Sequence, residues 1–217
     1  NYISLLQMSA YVEGISLAVA EDFKEQGVEL YSAYHTKHLM SYDWMFKGVQ
    51  FSLKYFLADE NALACMVTLK NLSDSEKEIT LHSTNIYGDW EIKWWGSNGL
   101  SQKFLDTENA SAVKIWAYGD VFVMGSDWNI RAVKATGDRN TWEQWMRTND
   151  MTSRKEFMLK GKGPLYAVHS FQLDIPPQTE RSGLIYLCRG KNEGWTLKTY
   201  QEMRREVLLI LQDQLEL

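Results

Sequence analysis

Between Val49 and Tyr87 the chain alternates apolar and polar residues with a regularity that an antiparallel sheet accommodates and a helix does not. In Val49-Gln50-Phe51-Ser52-Leu53-Lys54-Tyr55 every second side chain is apolar, the period of a strand with one buried face. Ala58-Asp59-Glu60-Asn61 supplies turn chemistry. The next run sets Leu63, Cys65, Val67 and Leu69 on one face. Asn71-Leu72-Ser73-Asp74-Ser75 reads as a second turn, because Asn, Asp and Ser side chains bond the local backbone in place of a partner strand. Glu78-Ile79-Thr80-Leu81-His82-Ser83 then alternates again. Together the runs predict a three-stranded β-meander with one wet face.

Composition narrows what such a scaffold serves. The chain has 217 residues, 45% of them apolar, enough to bury a core without staples. A net charge of -5 argues against nucleic acid, whose binders show a basic excess. No apolar run approaches the ~18 residues of a membrane-spanning helix. Asn1-Tyr2-Ile3-Ser4 carries neither region of a signal peptide and no initiator Met, so a removed targeting segment or a start inside a longer protein is expected. Cys65 and Cys188 fall in apolar runs and read as buried thiols, with no framework of further cysteines for a disulfide.

The rest of the chain extends the all-β pattern. Tyr2–Met8, Gly14–Ala20 and Gly27–Tyr31 are short strand candidates, and Ala112–Ala117 with Val121–Met124 reads as a hairpin turning at Gly119-Asp120. Two longer strands, Leu165–Leu173 and Ser182–Cys188, flank Pro176-Pro177, which cannot continue a strand. Residues 88–105 and the locally basic 126–163 break the pattern. Within the second, Trp142, Trp145 and Met146 fit helical spacing. From Thr196, taken as N-cap, to Leu217 the apolar residues Leu197, Tyr200, Met203, Val207, Leu208, Leu211 and Leu215 step by three and four, one helical stripe. The fold class expected is mainly β: a large antiparallel β-sandwich with one C-terminal α-helix.

Catalytic motifs are scarce. His35 and His38 are three apart without a third ligand, which predicts a solvated loop and no metal site. Gly161-Lys162-Gly163 precedes Pro164 and a strand, so it is a turn and not a phosphate cradle. Asn71-Leu72-Ser73 and Asn109-Ala110-Ser111 match the glycosylation acceptor pattern. Glycosidases need two carboxylates about 5–10 Å apart. Asp89, Glu91, Asp127, Asp138 and Glu143 lie in the irregular regions, yet spacing nominates no pair. Nothing calls for a cofactor.

The strongest site signal is aromatic. Trp90, Trp94 and Trp95 in one irregular region, and Trp128, Trp142 and Trp145 in the other, offer flat apolar faces on which sugar C–H groups stack, with Asp138 and Arg139 placed to read hydroxyls. The alternative is that these rings pack, either on the sandwich or against a partner, where Trp and Arg are enriched.

Several stretches resemble the N-terminal β-supersandwich of glycoside hydrolases that carry an (α/α)6 barrel catalytic domain. Met66–Ser73 with Lys77–Leu81 is similar to their strand, Asn-x-Ser turn and strand. Ser126-Asp127-Trp128-Asn129, Ala135–Arg139 and Trp142 resemble the long loop after the following hairpin. Gly163–Tyr166 through Pro176-Pro177, then Tyr186–Gly190, resembles the closing strands, and 192–217 the linker helix. The resemblance implies a galactose-mutarotase-like supersandwich over 1–192, a linker helix over 193–217, and carbohydrate and the barrel domain of the same chain as partners. It also implies that catalytic acids belong to the barrel, so no catalytic residue is carried over. Two alternatives remain: a free-standing carbohydrate-binding module, and a mutarotase-like epimerase using His82 and His169.

Overall fold

The computed structural model describes residues 2–88, 99–117, 119–160 and 164–215. The strands are β1 (Tyr2–Val12), β2 (Ile15–Leu17), β3 (Leu30–His35), β4 (Leu39–Phe46), β5 (Val49–Asp59), β6 (Ala62–Asn71), β7 (Lys77–Tyr87), β8 (Gly99–Leu105), β9 (Ala110–Ile115), β10 (Val121–Ser126), β11 (Ala132–Thr136), β12 (Glu156–Lys160), β13 (Leu165–Ile175) and β14 (Glu180–Gly190). The helices are α1 (Ala20–Glu25), α2 (Arg139–Met146) and α3 (Glu193–Leu215). Two antiparallel sheets result, of order β11-β13-β7-β1-β2 and β12-β8-β9-β10-β14-β6-β5-β4-β3. The mainly-β sandwich with one long C-terminal helix is the architecture that the alternation predicts.

Of the predicted meander, β5 and β6 form the hairpin, in register from Val49↔Asn71. The third run departs from it. β7 pairs with β1 and β13 in the smaller sheet, whereas the other neighbour of β6 is β14. The reason is general: alternation specifies which face of a strand is buried, not which strand lies beside it. The turn after Asn71 carries the chain between the sheets. Asn71 is buried, and its amide nitrogen lies 2.8 Å from the carbonyl of Ser75 and 2.9 Å from that of Ile175. Its Oδ1 accepts from the amide and hydroxyl of Ser73. The second crossing, from β13 to β14 through Pro176-Pro177, meets the first at this corner, where the Asn71 amide donates to the Thr179 carbonyl.

The main core lies between the sheets, where Phe51, Val67, Leu81, Val113, Phe122, Trp128 and Phe171 pack together. Each outer face also carries a helix. On the smaller sheet, Trp142 and Met146 of α2 join Ile86, Tyr166 and Val168. On the larger, Tyr200, Met203, Val207 and Leu211 of α3 join Val123, Leu184, Tyr186 and Cys188. The helix starts at Glu193, ahead of the expected Thr196. Asn192 caps it, its Oδ1 accepting from the Trp195 amide at 2.9 Å, and Thr196 is buried inside the first turn with its hydroxyl donating to the Asn192 carbonyl.

Cys65 belongs to the intersheet core and Cys188 to the cluster under α3. Both are free and buried, on opposite faces of the larger sheet. Burial pushes both thiols up, that of Cys188 to about 12. The β9–β10 hairpin forms as expected, with Gly119 at positive φ and the Ile115 amide donating to the Asp120 carbonyl.

Candidate functional site

Five of the residues singled out in the sequence, Asp138, Arg139, Trp142, Glu143 and Trp145, meet at one helix. Asp138 is the N-cap of α2, accepting from the amide and hydroxyl of Thr141 at 2.8 and 2.6 Å. The Thr141 hydroxyl, then its amide, hold this carboxyl below the usual carboxylate range. One residue on, Arg139 projects into solvent and pairs with Glu143 one turn later at 2.7 Å. Trp142 turns the other way. Its ring stacks on Tyr166 with centroids 5.0 Å apart, and its Nε1 donates to the Thr84 hydroxyl at 3.2 Å. Buried in this way, the ring serves packing within the chain.

Trp145 is half-buried, with the Lys134 ammonium 5.4 Å from its ring centre. Lys134 is itself buried on β11, and its Nζ donates to the carbonyl and carboxylate of Asp150 at 2.7 and 3.0 Å. The Thr152 hydroxyl first, then the Thr152 amide and Lys134, hold the Asp150 carboxyl at about 2. The outer face of α2 thus presents Asp138, Arg139, Glu143 and part of Trp145.

The other aromatic residues lie elsewhere. Trp128 is in the intersheet core, 6.1 Å from Phe171 and filling the space above Gly183. Trp90, Trp94 and Trp95, with the acids Asp89 and Glu91, lie outside the described residues, as does the 161–163 turn. Asp127 accepts from the Tyr186 hydroxyl at 2.8 Å and stands 3.9 Å from Arg204 of α3, so it ties the helix to the sheet. Asn71 and Asn109 both spend their side chains on backbone groups. Among the described residues, no group of three or more His, Cys, Asp and Glu is arranged to hold a metal ion, and no helix is long and apolar enough to cross a membrane.

His82 and His169 do not converge. His82 is paired across strands with Ser170, and His169 with Ser83. Consecutive strand residues face opposite ways, which puts the two imidazoles on opposite faces of the smaller sheet. His82 Nδ1 bonds the Ser170 hydroxyl at 2.8 Å, whereas His169 Nε2 reaches across the core to the Ser111 hydroxyl of β9 at 2.7 Å. Burial, assisted by the charge of Lys134, lowers His82 to about 4, and burial alone lowers His169 to about 3.

One concavity has no counterpart in the sequence reading. On the outer face of the larger sheet, beyond the strands that α3 covers, a groove of about 410 Å³ is lined by Ser101, Lys103, Lys114, Glu156, Met158 and Lys191, among others. These side chains come from strands far apart in the chain. The polar half of each alternation was their only signal, and it marks solvent as readily as a ligand.

No family model matches the chain, and no curated protein matches it. Solved structures do. A bacterial glucoamylase complexed with acarbose superposes with a TM-score of 0.56 at 14% identity, over 93% of this chain and 29% of its own. A protein described as a kojibiose phosphorylase, from the human microbiome, gives 0.55 at 13% identity, over 91% of this chain and 25% of its own. A protein described as an aldose 1-epimerase, from Escherichia coli K12, gives 0.46 at 7% identity, over 75% of this chain and 68% of its own. By fold, the chain is a β-supersandwich. Its resemblance to the sandwich domains of (α/α)6-barrel glycoside hydrolases holds at the level of the fold, and the chain spans between a quarter and three tenths of the glucoamylase and phosphorylase chains.

Proposed function

We propose that this chain is the non-catalytic accessory sandwich of a larger carbohydrate-active enzyme, with 1–192 as the supersandwich and 193–217 as the helix leading to a helical-barrel catalytic domain. The observation that carries the reading is the shape of α3. Its buried side holds Tyr200, Met203, Val207 and Leu211, while Leu208, expected in the same stripe but turned to its flank, and Leu209 on the far side are 58% and 65% exposed. Large apolar residues left in solvent beside a completed core mark a surface that another body covers. The share of the glucoamylase and phosphorylase chains that this fold occupies supports the same reading. So does the separate employment of the described acids: Asp138 caps a helix, Glu143 pairs with Arg139, and Asp127 bonds Tyr186.

Carbohydrate is the proposed partner of the assembled enzyme. Asp138, Arg139 and Trp145 are the residues at α2 that reach solvent and could touch it, with Trp90, Trp94 and Trp95 as further candidates. Two tests apply. The reading frame beyond Leu217 should encode a helical-repeat domain, and Leu208→Glu with Leu209→Glu should abolish co-purification of that domain while the sandwich stays folded. Co-purification unchanged by both substitutions would remove α3 as the contact.

A further inference from the structure

The groove on the outer face of the larger sheet combines features that neither the core nor α2 explains. Lys103 of β8 is paired with Ala112 of β9, and Lys114 lies two residues further along β9. Diagonal neighbours of this kind stand about 7 Å apart. Lys103 faces Glu156 across β12, but the cross-strand neighbours of Lys114 are Ser101 and Val121, and no carboxylate among the described residues pairs with it. Lys191, which engages the buried Asp120, and the first turn of α3 at Asn192 and Glu193 close the end of the groove.

Apolar surface flanks these cations. Met158 of β12 is 71% exposed on one side. On the other, the indole of Trp195 lies against Gly190, the cross-strand partner of the lining residue Val121, and remains 47% exposed. A concave wall with an exposed thioether, hydroxyl-accepting Glu156 and Glu193, and a lysine with no ionic partner among the described residues, next to the half-exposed indole over Gly190, suits a ligand with both C–H faces and negative charge. In a chain of net charge -5, Lys103 and Lys114 set two cations on neighbouring strands of one wall, a pair that attracts an anion locally.

We infer that this groove binds an acidic saccharide, one carrying carboxylate or sulfate groups, with Lys103 and Lys114 holding the anion and Trp195 lying along the sugar face. The inference rests on the reading of the chain as part of a carbohydrate-active enzyme and names the ligand class of a site separate from α2.

The test is calorimetry and Trp fluorescence on the full 217-residue chain with four probes: hexagalacturonate, a heparin-derived hexasaccharide, neutral maltohexaose and polyglutamate. The expected result is that one of the acidic sugars binds, that maltohexaose binds at least about tenfold more weakly, and that the paired substitutions Lys103→Gln and Lys114→Gln cost the acidic sugar about tenfold, the worth of one charge-assisted hydrogen bond. Which acidic sugar responds distinguishes carboxylate from sulfate. These surface substitutions leave the core untouched, and an unchanged far-ultraviolet spectrum verifies folding. Equal binding of maltohexaose, polyglutamate binding as tight as the sugar, indifference to the lysine substitutions, or no binding of either acidic sugar would each overturn the site. None of those results bears on the accessory-domain reading, which instead falls if the chain alone turns over glycans.

Discussion

Gly125 of β10 lies beneath the phenol of Tyr200, and a Cβ there would overlap the ring. Gly125→Ala should therefore lift α3 and lower stability by about 1–3 kcal/mol, the usual cost of overpacking, read as a fall in the urea midpoint at unchanged slope. The histidines make a second prediction at this scale. Both have folded values below the ordinary 6.5, so the unfolded chain takes up protons that the folded chain refuses. Stability is full above about pH 6.5 and is lost as pH falls, by about 1.4 kcal/mol per unit for each histidine. Urea titrations between pH 7 and 5, above the carboxylate range, should show this slope, and His169→Phe should halve it. A flat profile would mean that the rings are not held neutral. Residue identity was legible in the sequence, but environment was not: Trp128 and Trp142 look like binding rings because aromatic content in irregular regions does not report depth, and contacts with Phe171 and Tyr166 from distant strands bury them.

At the scale of elements, periodicity was a good guide to existence and a poor one to partnership. The β5–β6 hairpin, the β9–β10 hairpin, α2 and α3 follow from local pattern. The crossing of β7 into the smaller sheet does not, because it depends on Asn71, whose amide is satisfied by carbonyls at the distant β13–β14 corner. Asn71→Ala should cost about 2–3 kcal/mol by stranding those buried acceptors, whereas Asn71→Asp, which keeps the acceptor to Ser73, should recover only part of it. On α3, Met203→Ala should cost about 2–5 kcal/mol, and Leu208→Ser should stay within about 0.5 kcal/mol in the isolated chain. A large loss at Leu208 would show that its side of the helix already has a partner within this chain.

For the whole molecule, the smaller sheet covers the inner face of the larger one, and the larger sheet's outer face is shared among other features. α3 covers one portion, the lysine groove occupies another, and on the otherwise charged solvent side of α3 Leu208 and Leu209 stay exposed. Fold class was readable in the sequence because strand alternation and the helical stripe are local. The groove was not, because Lys103, Lys114, Glu156 and Lys191 are gathered only by sheet order. The central claim is that this sandwich supports catalysis without performing it. Its most direct test is an oligosaccharide-cleavage assay of the chain alone beside the chain joined to its downstream domain. The account predicts turnover from the joined form and none from the chain alone. Turnover by the isolated chain, lost in Asp138→Asn or Glu143→Gln, would contradict it.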